Sequence, residues 1–300
     1  MPAVDARQGG GLLDVAVDPE FARNRLVYWC YAEPRGDGAG TTLARAVLTA
    51  MPDGGTRLDD VRLIFRMQPT ADTWRSFGCR IAFDRAGAVF LTIGDLDFDP
   101  FRPLVQRLDT DVGKVVRVNR DGSIPRDNPF VGKPGARPEI WAVGFRNPLG
   151  AAIDPASGDL WTVENGPNGG DELNHVLPGR NYGWPVISYG VEYDGKPVGE
   201  GLTARAGMEQ PAYYWDPVIA PSSLMFYTGG LFPAWKGDAF VGSLKLRRLV
   251  RLAMKDGQVV GEEPLLTELN ERIRDAVQGP DGALYVLTDA DDGKVLKLTP

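Results

Sequence analysis

The sequence predicts an all-β chain, a β-propeller of four-stranded blades with five blade units visible. Three observations carry this. Short β-forming runs bounded by Gly, Pro, Asp and Asn dominate from end to end, no amphipathic helical stretch exceeds three turns, and one strand–turn–strand unit recurs. With 37 Gly and 24 Pro in 300 residues the chain is turn-dense, which suits many short strands.

The recurring unit is an apolar strand that ends in an acidic or turn residue, then a turn, then a second apolar strand. It runs from Leu13-Asp14-Val15-Ala16-Val17-Asp18-Pro19 to Leu26-Val27-Tyr28-Trp29, then from Ile81-Ala82-Phe83-Asp84 to Ala88-Val89-Phe90-Leu91, and from Ala152-Ile153-Asp154-Pro155 to Asp159-Leu160-Trp161. Weaker copies pair Leu224-Met225-Phe226-Tyr227 with Ala239-Phe240-Val241, and Ala276-Val277-Gln278-Gly279 with Leu284-Tyr285-Val286-Leu287. The turn residues Asp18, Asp84 and Asp154, followed by Tyr227 and Gly279, are spaced by about one propeller blade of ~40–50 residues plus loop insertions. Outer strands follow the inner pairs, as at Thr42–Val47, Val115–Val118 and Val295–Leu298. Inner strands are expected to start near Gly11, Cys79, Pro148, Ala220 and Arg274, with residues 1–300 forming a single propeller domain. A β-sandwich is the alternative, because strand spacing alone does not fix ring closure.

Composition narrows the partners. A net charge of −7 and a pI near 4.9 argue against duplex DNA or an anionic membrane surface as the main partner. No apolar run approaches the ~18–20 residues of a membrane span, and the start, Met1-Pro2-Ala3-Val4-Asp5-Ala6-Arg7, carries no basic-then-apolar export signal. Cys30 and Cys79 read as two buried free thiols, with one disulfide as the alternative if their strands are neighbours. The single histidine, His175, excludes a multi-imidazole zinc site, and its surroundings, Glu172-Leu173-Asn174-His175-Val176, read as strand rather than catalytic loop.

Four segments differ from generic strand or turn. Gly166-Pro167-Asn168-Gly169-Gly170-Asp171-Glu172 combines turn-exposed carbonyls with carboxylates, a donor set suited to a hard cation such as Ca²⁺, although a solvated turn has the same look. Gly144-Phe145-Arg146-Asn147-Pro148 sets a fork-shaped cation and an amide before a constrained turn. Arg272-Ile273-Arg274-Asp275 places two guanidinia on one face of a strand, and Lys245 follows the strand Phe240–Leu244. In a propeller these cations would converge on the central channel, making a polyanion pocket beside a cation site.

These motifs resemble the soluble glucose/sorbosone dehydrogenase family, especially its aldose sugar dehydrogenase branch. The similarity runs from about Gly10 to Pro300. It includes Gly10-Gly11-Leu12-Leu13-Asp14-Val15, Pro138-Glu139-Ile140-Trp141, Gly144–Pro148, Glu164–Glu172, Asn181-Tyr182-Gly183-Trp184-Pro185, Met208-Glu209-Gln210-Pro211, Ala220-Pro221-Ser222 and Arg272–Asp275. The resemblance implies a six-bladed propeller that uses pyrroloquinoline quinone (PQQ) and Ca²⁺ to oxidise a sugar or another alcohol. It implies that Arg146, Asn147, Lys245, Arg272 and Arg274 contact PQQ, that Arg146 also belongs to the catalytic set, and that Gly166 and Pro167 bind Ca²⁺ through their carbonyls with Asp171 beside them as metal and catalytic residue. In the family the ion polarises the quinone, hydride leaves the sugar C1, and a histidine is the general base.

Three departures qualify the transfer. In Trp74-Arg75-Ser76-Phe77-Gly78-Cys79-Arg80, Ser76 takes the base position, and a serine hydroxyl does not accept a proton as imidazole does. Gln8-Gly9-Gly10-Gly11 shifts a quinone-packing side chain by one residue. About one further blade that precedes this point in the family is absent, so the ring is expected to close with five blades or to leave an edge for a partner chain. A Ca²⁺-dependent hydrolase of lactones or phosphoesters on the same site, or a non-catalytic binding relative, are the competing readings. Relatives are commonly periplasmic or secreted, but with no signal the compartment stays open.

Overall fold

The computed structural model describes residues 2–73 and 75–300; Met1 and Trp74, the first residue of the Ser76 motif, lie outside the described residues. The chain is a β-propeller of five antiparallel sheets, in each of which strands pair in the order they occur in the sequence. It divides into two compact units, one comprising residues 1–147 with 178–185, the other 148–177 with 186–300.

The first unit carries two blades. Blade 1 is β1 (Leu12–Val17), β2 (Leu26–Arg35), β3 (Gly38–Ala50) and β4 (Thr56–Arg66), with a single helical turn, α1 (Phe21–Asn24), between the inner two. Blade 2 is β5 (Gly78–Phe83), β6 (Val89–Ile93), β7 (Lys114–Val118) and β8 (Ile140–Val143). The second unit carries three. Blade 3 is β9 (Pro148–Ile153), β10 (Leu160–Glu164), β11 (Asp171–Val176) and β12 (Tyr213–Trp215), and blade 4 is β13 (Pro221–Phe226), β14 (Ala239–Ser243), β15 (Arg248–Lys255) and β16 (Gln258–Leu265). Blade 5, β17 (Ile273–Gln278), β18 (Leu284–Thr288) and β19 (Val295–Leu298), has three strands among the described residues rather than the expected four. All five recurring units are the inner hairpins, and the inner strands begin within one residue of the expected positions.

Turn chemistry fixes the registers. Asp256 and Gly257, at φ 51° and 74°, close the Lys255↔Gln258 hairpin as the type I′ turn that matches strand twist. Between blades the facing apolar residues form the core, as where Trp161, Val163 and Leu173 meet Leu224, Phe226, Val241 and Val250 in the second unit.

Every inner strand has a register shift at its first residues, in β1, β5, β9, β13 and β17. An extra residue bends a strand and re-aims its side chains, so all five blades carry a bulge at the end where the singled-out residues lie.

One expectation is corrected. Cys30 and Cys79 are not free thiols: their Cα atoms are 5.9 Å apart and the sulfurs are bonded. The reason is tertiary, since β5 packs on both β1 and β2 and so brings position 79 against position 30. Among the described residues, no helix is long and apolar enough to cross a membrane.

Candidate functional site

In the first unit, the loops before β5 and after β6 interlock. Leu96 N–H donates to the Ser76 carbonyl at 3.1 Å, and the Asn147 Oδ1 atom accepts from Gly78 N–H at 3.1 Å. The packing is tight enough that a Cβ on Gly94 would overlap the Ser76 carbonyl oxygen. Three non-glycine residues in these loops and one at the start of β5 hold left-handed backbone: Ser76 at φ 50°, Leu96 at 65° and Asp97 at 46°, and Cys79 at 77°. Each such residue costs on the order of 1–3 kcal/mol and persists only where surrounding contacts dictate it, which is common around functional sites.

Arg146, 5% exposed, is braced by these loops. Its carbonyl accepts Asp95 N–H at 2.8 Å, and its guanidinium stands 5.5 Å from the centre of the Trp184 ring. The Trp184 indole N–H donates to Asp95 Oδ2 at 2.9 Å, while Asp97 N–H donates to Asp95 Oδ1 at 2.8 Å. A second guanidinium, that of Arg102, is 5.3 Å from the same ring. Burial raises the Asp95 carboxyl above the ordinary carboxylate range, with the Arg146 charge opposing. Gln106 fixes the Trp184 segment by donating to the Trp184 carbonyl at 2.7 Å and exchanging amide hydrogen bonds with Asn181. Beneath it, the buried Lys114 amine donates to the carbonyls of Leu104, Val105 and Val112 at 3.3, 2.8 and 2.6 Å.

In the second unit, the β10–β11 loop folds back on itself. A Cβ on Gly166 would overlap the Gly169 and Gly170 carbonyl oxygens, so only glycine fits there. Asp171, 1% exposed, directs both carboxylate oxygens at backbone: Oδ1 accepts Gly166 N–H at 2.8 Å, and Oδ2 accepts Ile219 and Ala220 N–H, each at 2.7 Å. The same loop is clipped by Asn168 and Val191, which exchange N–H···O bonds of 3.0 and 2.9 Å. Next to it, the Asn174 amide donates to Glu164 and Glu172 at 3.0 and 3.1 Å. Burial pushes the Glu172 carboxyl up to about 7, the Asn174 hydrogen bond opposing and the Asp171 charge adding to it.

The turn that Asp171 holds leads on to the cations. The carbonyls of Ile219 and Ala220 accept the N–H groups of Lys245 and Leu244 at 3.1 and 3.0 Å, which fixes the exposed Lys245 beside them. The Arg272 and Arg274 guanidinia both meet Asp289, at 2.7 and 3.0 Å. Burial favours the neutral Asp289 acid, but hydrogen bonds and charge from the two arginines outweigh it and hold the carboxyl below its usual range.

Gly166, Asp171, Lys245, Arg272 and Arg274 therefore lie on hydrogen-bonded neighbouring turns of one unit, with Pro167 in the glycine loop. Ser76, Arg146 and Asn147 lie on interlocked loops of the other. His175 sits in β11, stacked on Trp161 and bonded to Asp159 at 2.9 Å, as expected of a strand residue. Asp95 and Trp184 are the residues that sequence reading missed. The Asn181-Tyr182-Gly183-Trp184-Pro185 motif was visible, and nothing in it pointed to Asp95.

The residues fit the implied groups. Gly166 and Pro167 lie in a loop whose shape requires glycine, and backbone carbonyls are hard-cation donors, although no cluster of three His, Cys, Asp or Glu side chains is placed to hold a metal among the described residues. Forked guanidinia suit a polycarboxylate.

A sequence model of the glucose / sorbosone dehydrogenase family matches residues 1–297. The chain is 41% identical over 302 residues to the aldose sugar dehydrogenase YliI of Escherichia coli strain K12, covering 100% of this chain and 80% of that protein. It superposes on a crystal structure of a glucose dehydrogenase with a TM-score of 0.95 at 45% identity, covering 100% of this chain and 85% of the other. A PQQ-bound aldose sugar dehydrogenase from Streptomyces coelicolor matches with a TM-score of 0.79 at 25% identity, over 99% of this chain and 82% of that one.

Proposed function

The chain belongs to the glucose/sorbosone dehydrogenase family, and on that premise we propose that it is a PQQ- and Ca²⁺-dependent sugar dehydrogenase that oxidises an aldose at a reduced rate. The observation that carries the reading is the set of cations at strand ends: Arg146 buried and braced in one unit, Arg272 and Arg274 gathered on Asp289 in the other. Arg146, Arg272 and Arg274 would bind carboxylates of PQQ as forks, Lys245 as a point charge, and Asn147 would orient the loop that carries Arg146. The Gly166 and Pro167 carbonyls would hold Ca²⁺, and Asp171 serves them by fixing the loop through Gly166 N–H. When bound, PQQ supplies the ortho-quinone that accepts hydride and Ca²⁺ supplies Lewis acidity. Ser76 stands where the family has its base, and its hydroxyl, which keeps its own proton at neutral pH, can relay a hydrogen bond but does not take up the proton of the substrate, which accounts for the reduced rate.

The test is to titrate the purified chain with PQQ and Ca²⁺ and follow reduction of an artificial electron acceptor with a panel of aldoses. Dye reduction that requires PQQ, Ca²⁺ and aldose together is expected. PQQ bound without aldose-dependent reduction, or lactone or phosphoester hydrolysis that needs no PQQ, would overturn the reading.

A further inference from the structure

We infer that Asp95 and Trp184 form a positioning unit for Arg146. The inference rests on the reading of Arg146 as a contact for an anionic cofactor, and it concerns what makes that arginine a fixed fork rather than a mobile charge.

Arg146 is held from two directions. Its backbone carbonyl is tied to Asp95 N–H at 2.8 Å, and its guanidinium lies within cation–π range of Trp184, at 5.5 Å. Trp184 and Asp95 are joined by the indole N–H bond of 2.9 Å, so ring and carboxylate cannot move independently. Asp95 is 2% exposed and Trp184 5%, so neither is a surface group that happens to lie close. The unit is fixed in turn by Asp97 N–H on the second carboxylate oxygen and by Gln106 on the Trp184 carbonyl. A guanidinium whose orientation is set before an anion arrives loses less rotamer freedom on binding, which strengthens the complex without any added contact.

The sign of one substitution separates this from a bystander role. A carboxylate that merely sits near a cation opposes anion binding, so neutralising it should tighten the complex. A positioning carboxylate does the reverse. In Asp95→Asn the amide has one acceptor oxygen for two N–H donors, Asp97 and the Trp184 indole, so one bond is replaced by a clash of donors.

Two readouts are required, neither of them turnover. Equilibrium dialysis gives the PQQ dissociation constant in the presence of Ca²⁺, and nitrogen-edited NMR gives the hydrogen-exchange rate of the Arg146 Nε–H, assigned with Arg146→Lys. Asp95→Asn should weaken PQQ binding by roughly 10- to 100-fold and speed Arg146 exchange, the scale of a lost charge-assisted hydrogen bond. Trp184→Phe, which keeps the ring but deletes the donor, should do both to a smaller extent, and it decides the matter if Asp95→Asn does not fold. Equal or tighter PQQ binding, or unchanged Arg146 exchange, in a folded variant overturns the positioning role. If the wild-type chain binds no PQQ, the proposed function fails while the exchange rate still decides whether Asp95 and Trp184 fix Arg146.

Discussion

Asp95 and Asp289 each face arginines, and their acidities move in opposite directions. Asp95, in the unit that holds blades 1 and 2, is buried beside Arg146, and burial wins: its carboxyl is raised. Asp289, in the other unit, meets Arg272 and Arg274, whose side chains are each 43% exposed, and pairing wins: its carboxyl is lowered. The same pair of residue types thus performs two tasks. A buried pair is held by packing and hydrogen bonds at a cost in desolvation, which fixes geometry; a solvated pair costs little and keeps two cations gathered.

The contrast can be broken most directly by deleting the carboxylates. Asp95→Ala leaves the buried Trp184 indole and Asp97 N–H without their acceptor and takes a carboxylate away from the buried Arg146 charge, and should cost about 3–5 kcal/mol of stability in urea denaturation. Asp289→Ala should cost no more than about 1 kcal/mol, because water can replace it. Similar losses in the two variants would show that burial does not distinguish the sites.

Asp171 offers an intermediate case, a buried carboxylate whose partners are backbone N–H groups rather than arginines. Asp171→Asn should lower stability by about 1–3 kcal/mol, since the amide cannot accept three N–H bonds on the same two atoms. The loss should be present with and without Ca²⁺; a loss confined to Ca²⁺-loaded protein would instead make the side chain a ligand.

Ser76→His tests the strained loop of the first unit. Histidine tolerates the left-handed backbone found at position 76 better than most residues do, and it restores a group that titrates near neutrality. PQQ-dependent aldose oxidation should rise at least about tenfold, about 1.4 kcal/mol in barrier. An unchanged rate with PQQ bound would count against a dehydrogenase impaired only by loss of its base.

The smallest effect is in pH dependence, and its sign differs between the two carboxylates. Asp95 has its folded pKa raised, so the stability associated with it falls as pH rises from the ordinary carboxylate value towards the folded one. Asp289 has its folded pKa lowered, so its contribution is present above the ordinary value and lost as pH falls through the folded one. Denaturation curves of Asp95→Asn and Asp289→Asn should therefore differ from wild type with opposite slopes in the acidic range. Parallel curves would remove the distinction.

The hairpins were legible because each is written locally: apolar runs set the strands, and residues such as Asp84-Arg85-Ala86-Gly87 set the turns. Position 79 was different. Whether a cysteine meets another depends on which strands of neighbouring sheets touch, and no local pattern reports that. Arg272 and Arg274 stood out in the sequence as two cations two residues apart, but the Asp289 that gathers them lies just past the end of β18 and no local pattern reports it. The glycine-rich loop around Asp171 made the carboxylate readable as a site residue, but not the backbone N–H groups of Ile219 and Ala220 that it accepts from a distant turn. Asp95 was illegible for a related reason. An aspartate after an apolar strand looks like a turn residue until Trp184, from a distant segment, donates to it.

Lys114 has a consequence of its own. Burial draws its pKa down to about 7, the charges of Asp111 and Asp109 opposing, yet donation to all three carbonyls requires the three hydrogens that only the charged amine has. Its ammonium thus takes the place among carbonyl oxygens that a bound alkali ion could fill, tethered to β7 by its own side chain. Loop 104–112 is pinned by a cation that cannot be dialysed out, exchanged for another metal or captured by a chelator. The glycine loop of the other unit, if it is to hold an ion, must recruit one from the surroundings. The loop pinned by Lys114 stays indifferent to which ions the surroundings supply.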